Sequence, residues 1–103
     1  MQLSEQWVLV TGGARGLGQA ITRALAREGA GVVINYHRSE AAALALAEEL
    51  GPRAIALQAD VTDAAAVQRL FAAARERTGA SISAVVNNAL AQFSFDGDAR
   101  PKL

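Results

Sequence analysis

Apolar positions in this chain fall into short runs rich in β-branched residues, separated by stretches in which they recur at helical spacing. Trp7-Val8-Leu9-Val10 is such a run, and it predicts a buried strand. From Leu17 onward Leu17, Ile21, Ala24, Leu25 and Ala26 mark one face of a helix, with Gly29 as its stop. Val32-Val33-Ile34 predicts the second strand. Ser39 stands where it can cap a helix through the Ala- and Leu-rich segment to Leu50, ended by Gly51-Pro52. Ala54-Ile55-Ala56-Leu57 predicts the third strand. Thr62 or Asp63 can cap the next helix, in which Val67, Leu70, Phe71 and Ala74 fall at i, i+3, i+4 and i+7 before Gly79. Ile82 to Val86 predicts the fourth strand.

The order is βαβαβαβ. Strands that read as continuous apolar runs are buried on both faces, so the fold class is α/β, a doubly wound parallel sheet with right-handed crossovers. A chain of 103 residues makes one domain. The alternation occupies residues 1–90. It fails over 91–103, where Phe93-Ser94-Phe95-Asp96-Gly97-Asp98 is turn-rich, and the expectation is an irregular segment leading into a missing remainder.

Composition narrows the function. Apolar residues are 51% of the chain and charged residues 19%, the balance of a globular core. Ten basic and ten acidic residues are intermixed, so nothing marks a nucleic-acid or anionic membrane surface, and a small molecule or another protein is the expected partner. With no cysteine there is no disulfide, thiolate metal site or cysteine nucleophile to propose. The N-terminus MQLSEQWVLV lacks a signal-peptide pattern and no apolar run approaches the roughly 20 residues that span a bilayer, so a cytoplasmic protein is expected.

Chemistry concentrates in Thr11-Gly12-Gly13-Ala14-Arg15-Gly16-Leu17-Gly18, between the first strand and the first helix. Glycines there permit a tight turn and close backbone approach to a ligand, and the helix N-terminus beyond offers N–H groups and partial positive charge. A phosphate or pyrophosphate suits that combination. Gly13 and Gly18 have the spacing of the triphosphate P-loop, but Gln19-Ala20 replaces its Lys-Ser/Thr pair, so ATPase-like chemistry falls away. The G-x-G-x-x-G fingerprint is not matched either. The general arrangement of a glycine turn and helix N-terminus after a first strand still points to a dinucleotide.

The end of the second strand bears on which dinucleotide. An acid there binds the ribose hydroxyls of NAD, whereas this chain has Asn35-Tyr36-His37-Arg38-Ser39 and no acid until Glu40. Arg38 with Ser39, and Arg15 from the glycine loop, suit a 2′-phosphate. NADP is the expected cofactor.

Three stretches together resemble the classical short-chain dehydrogenases/reductases: Thr11 to Gly18 as the T-G-x-x-x-G-x-G loop, Asp60-Val61 after the third strand, and Asn87-Asn88-Ala89 as the start of N-N-A-G. The resemblance implies a Rossmann-like fold, here its N-terminal βαβαβαβ portion. Its cofactor-binding positions fall on Gly12, Ala14, Arg15, Gly16, Leu17, Gly18, Tyr36, His37, Arg38, Ser39, Asp60, Val61, Asn88 and Ala89. Asp60 would accept from the adenine amino group or cap the third helix, while Val61 would pack on the ring. Asn87 and Asn88 would tie loops between strands, with Asn88 nearer the ribose. The stretch Asn35-Tyr36-His37 is most similar to 3-oxoacyl-acyl-carrier-protein reductases.

The resemblance further implies hydride transfer between NADP(H) and a carbonyl or alcohol, possible 3-oxoacyl thioesters among them, in a homo-oligomeric complete protein. The family's catalytic serine and Y-x-x-x-K pair lie beyond the fourth strand, so no catalytic residue is assigned here. Tyr36 has Glu40 four residues on, and the only lysine is Lys102. Leu90 stands where the family has glycine. The alternative reading is a non-catalytic dinucleotide-binding module or inactive fragment.

Overall fold

The structure is a computed structural model and describes residues 3–88. After a short 3-10 turn at Leu3–Glu5, which no apolar pattern announced, the chain forms β1 (Trp7–Val10), α1 (Gly16–Arg27), β2 (Gly31–Tyr36), α2 (Glu40–Leu50), β3 (Ala54–Gln58), α3 (Ala64–Thr78) and β4 (Ala84–Val86). The expected segment 91–103, Leu90 and Ala89 lie outside the described residues.

All strand pairs are parallel and the order is β3-β2-β1-β4. The chain therefore steps outward from β1 through β2 to β3, then returns across the sheet to β4. That reversal places α1 and α2 on one face and α3 on the other. Alternation along the strands follows: Val8, Val10, Val32, Ile34 and Ala54 pack with Ala43 and Leu46 of α2, while Leu9 and Val33 pack with Ala66, Leu70 and Ala74 of α3. β2 is buried along its whole length, as an inner strand covered on both faces must be.

Boundaries follow local chemistry. α1 needs no side-chain stop because Gly29 leaves it at φ 96°. Asp63, and neither Thr62 nor Asp60, caps α3: its carboxylate accepts from the Ala65 amide at 3.0 Å, and Gly79 closes the helix in the left-handed region at φ 70°. Ser39 occupies the N-cap position of α2, but its hydroxyl makes no capping bond, contrary to expectation. β4 begins two residues later than expected. Ser83 is tied instead to the chain just before and at the start of β1: its amide donates to the Trp7 carbonyl at 2.9 Å, and its hydroxyl stands 3.1 Å from both that carbonyl and Gln6 Oε1.

Candidate dinucleotide site

The C-terminal ends of β1, β2 and β3 and the loop after β4 meet at the edge of the sheet where its winding reverses, the place where open α/β sheets bind ligands. The glycine loop there is shaped by two different needs. Gly12 and Gly16 take φ 61° and 55°, a region that side chains disfavour. Gly13 and Gly18 are needed for space: a Cβ on Gly18 would stand 2.0 Å from the Gly12 carbonyl oxygen and 2.6 Å from Asn88 Nδ2, and one on Gly13 would stand 2.9 Å from Thr22 Oγ1.

Several bonds fix the loop to the sheet. Thr11 N donates to the Val86 carbonyl at 3.0 Å, Gly13 N to the Asn35 carbonyl at 3.0 Å, and the buried Thr22 hydroxyl to the Gly13 carbonyl at 3.1 Å. Asn35 was not among the expected site residues, yet it organises the site. Only 2% exposed, it accepts from Gly12 N through Oδ1 at 3.2 Å, and its Nδ2 donates to the Ala59 carbonyl at 3.2 Å. One amide in β2 thus ties together the loops after β1 and β3. The signal was a lone polar residue closing an apolar strand, where an unpaired amide would be costly.

Beyond the loop, Arg15 takes the N-cap of α1 in extended backbone and its side chain makes no capping bond. Among the described residues the first-turn N–H groups of α1 have no side-chain acceptor, and a helix in that state attracts an anion. A cleft of about 530 Å³ opens beside them, lined by Gly12, Ala14, Arg15, Gly16, Tyr36, His37, Arg38 and Ser39. Arg15 and Arg38 are exposed within it, and Ser39 keeps its hydroxyl out of any cap. Glu40, the first acid after β2, accepts from the Tyr36 hydroxyl at 3.4 Å. Burial, then the charge of Glu40, raises the Tyr36 phenol above its ordinary pKa.

The remaining expected residues surround the cleft without lining it. Leu17 is 61% exposed in the first turn of α1, and Gly18 lies beneath the loop against Gly12. Asp60 accepts from Thr62 N at 2.9 Å and Thr62 Oγ1 at 2.6 Å, both through Oδ1, while Oδ2 faces His37 Nε2 at 3.9 Å. The Thr62 hydroxyl and then its amide hold the Asp60 carboxyl below the usual range, with His37 and Arg38 adding to the effect. Val61 follows it, half-buried. Asn87 is exposed just past β4. Asn88 is 3% exposed and donates through Nδ2 to the Gly12 carbonyl at 3.1 Å, and its Oδ1 has no partner among the described residues.

A dinucleotide fits these features: an uncapped helix N-terminus for a pyrophosphate, glycines that keep the backbone open, and a buried acceptor oxygen lacking a donor. Comparison with known proteins bears on the same point. The model of the short chain dehydrogenase family matches residues 6–98. This chain belongs to the short-chain dehydrogenases. Sorbitol dehydrogenase of Cereibacter sphaeroides is 47% identical over 89 residues, covering 86% of this chain and 34% of that protein. L-rhamnose 1-dehydrogenase (NAD(P)(+)) of Azotobacter vinelandii is 46% identical over 95 residues, covering 86% and 37%.

Among solved structures, FolM alternative dihydrofolate reductase 1 from Brucella canis, complexed with NADP, superposes with a TM-score of 0.69 at 36% identity, over 75% of this chain and 32% of that one. This short-chain dehydrogenase chain therefore spans about a third of the length of the relatives it matches. Among the described residues no helix is long and apolar enough to cross a membrane, and no cluster of three or more His, Cys, Asp or Glu could hold a metal ion.

Proposed function

We propose that this chain forms the NADP(H)-holding part of an oxidoreductase that moves a hydride between the cofactor and a small carbonyl or alcohol. The observation that carries the reading is the charge pattern of the cleft: two arginines, a serine hydroxyl and a helix N-terminus line it, no acid is among its lining residues, and the nearby Glu40 and Asp60 are engaged by Tyr36 and Thr62. In this reading Gly12, Ala14, Gly16 and the α1 N-terminus hold the pyrophosphate, with Leu17 and Gly18 in the same turn. Arg15, His37, Arg38 and Ser39 face the 2′-phosphate, and Tyr36 walls the pocket. Asp60 and Val61 meet the adenine, and Asn88 with Ala89 lies on the ribose side. When bound, the nicotinamide supplies or accepts the hydride.

The family match and the NADP named in the structural neighbour's title support the cofactor. The names of the two relatives favour a polyol or sugar as substrate over a 3-oxoacyl thioester. We place the whole protein in the cytoplasm as a homo-oligomer. Two experiments test the proposal. Titration with NADP⁺ and NAD⁺ should favour NADP⁺, and Arg38→Ala should weaken NADP⁺ binding by roughly tenfold, as loss of a charge-assisted bond does, with little effect on NAD⁺. Equal affinities, or an unchanged NADP⁺ affinity in the variant, would sink the 2′-phosphate assignment. Steady-state assay of the natural full chain across sugars, polyols, 3-oxoacyl thioesters and dihydrofolate should reveal dinucleotide-dependent turnover, and none on any of them would count against the enzyme.

A further inference from the structure

Asp60 has two carboxylate oxygens in unlike states. Oδ1 is doubly engaged by Thr62, which leaves Oδ2 as the oxygen that faces outward, and what it faces is the imidazole of His37 at 3.9 Å. The two residues stand at the ends of different strands, His37 after β2 and Asp60 after β3. Their separation is held by other contacts: Gln58 Nε2 donates to the His37 carbonyl at 3.2 Å, and Asn35 Nδ2 to the Ala59 carbonyl at 3.2 Å. Both side chains are about half exposed, so each can meet a ligand in the cleft. His37 lines the cleft between Tyr36 and Arg38, and the charged groups around it are Asp60 from the β3–α3 loop, Arg38 beside it, Arg15 across the cleft, and Glu40 at the start of α2.

We propose that His37 and Asp60 form a proton-linked discriminator, in which protonated His37, oriented by Asp60 Oδ2, adds a third positive charge to Arg15 and Arg38 and raises the preference for the 2′-phosphorylated dinucleotide. The inference rests on the reading of the cleft as a 2′-phosphate site. Neutral imidazole offers one donor, so it can serve the carboxylate or the phosphate but not both. Imidazolium offers two, so Nε2 can serve Asp60 while Nδ1 serves the phosphate. Asp60 is the positioning residue of the pair. Oδ2 has two lone pairs, so in the proposed binding mode it accepts from the adenine amino group and from His37 Nε2 together. Binding of the phosphorylated dinucleotide then takes up a proton, and binding of NAD⁺ does not.

The test is calorimetric titration of the natural full chain with NADP⁺ and NAD⁺, the oxidised forms being stable in acid, between about pH 8.5 and about pH 5.5, a window centred on imidazole titration. The phosphate monoester itself titrates near about pH 6, which weakens binding in acid, so His37→Gln supplies the baseline. Relative to that variant, the wild-type ratio of NADP⁺ to NAD⁺ affinity should rise by roughly fivefold across the window, the size expected of one added charge at an exposed site. Asp60→Asn, which removes the orienting charge, should reduce the rise without removing it. Parallel pH profiles in wild type and His37→Gln, with NADP⁺ still preferred, would overturn the discriminator and leave the 2′-phosphate assignment standing. Loss of NADP⁺ preference at every pH would overturn both.

Discussion

At Gly18 the side chain is limited to hydrogen by two atoms that belong to the site itself, the Gly12 carbonyl oxygen and Asn88 Nδ2. These two are bonded to each other, so a Cβ would push the loop away from β4 and break that contact. Gly18→Ala should therefore lower stability by about 1–3 kcal/mol, the usual cost of overpacking. It should also weaken NADP⁺ binding by roughly tenfold, because the loop that presents Gly12 and Gly16 is displaced. Denaturant melts and calorimetry on the same variant measure both. A second residue-scale consequence concerns Tyr36. Its phenol is raised from the ordinary 10.0 by burial first and by Glu40 second. A folded pKa above the unfolded one means stability fully present below the unfolded pKa and lost as pH rises through the raised value. Wild type should accordingly lose stability against Tyr36→Phe above about pH 10, in urea melts run across the alkaline range. A constant gap between the two proteins would contradict it.

Element by element, the periodicity was the legible part. Each expected strand and helix exists, because buried parallel strands carry nearly continuous apolar runs and the helices carry a 3.6-residue stripe. Family membership was equally legible from three short stretches, since the glycine spacing reflects backbone needs that few arrangements share. What the pattern did not carry was side-chain bonding across long separations. Asn35 joins Gly12 and Ala59, and local sequence marks only a lone amide in an apolar strand, not the distant groups it meets. Ser39 was read as a cap and is not one, because a helix start can leave its cap oxygen free when Glu40 in the first turn already complements the dipole.

Arg53 is the same kind of omission at the opposite edge of the sheet. Its Nη1 donates to the Ser4 carbonyl at 2.7 Å and the Gly29 carbonyl at 3.0 Å, its Nη2 to the Gln6 carbonyl at 3.2 Å, and its guanidinium lies 5.4 Å from the Trp7 ring centroid. Both Arg53→Ala and Arg53→Lys should lower stability by about 1–3 kcal/mol, since an ammonium cannot reproduce the planar fork. Neither should alter NADP⁺ affinity, because the clasp sits where the strands begin and the cleft where they end. Urea melts alongside titration separate the two effects.

For the molecule as a whole, the sheet divides the labour: one edge holds the architecture and the other holds the ligand, joined by four short parallel strands. The outer strand β4 is the least covered, with Val85 41% exposed, yet its end carries Asn88 and the Val86 carbonyl that receives Thr11. Ligand binding at the cleft edge therefore reinforces the strand with least packing of its own. NADP⁺ at a hundredfold its dissociation constant adds about 2.7 kcal/mol to folding stability. For a domain of about 100 residues that is a rise in melting temperature of roughly 10–20 °C. NAD⁺ at the same concentration should give a smaller rise. Arg53→Ala should start from a lower melting temperature and keep the full NADP⁺ increment, whereas Gly18→Ala, with roughly tenfold weaker binding, should lose about half of it. A thermal-shift series on wild type and these two variants reads the division directly. An increment that vanished in Arg53→Ala would mean that the two edges are coupled through the strands and that the separation of roles argued from their geometry is wrong.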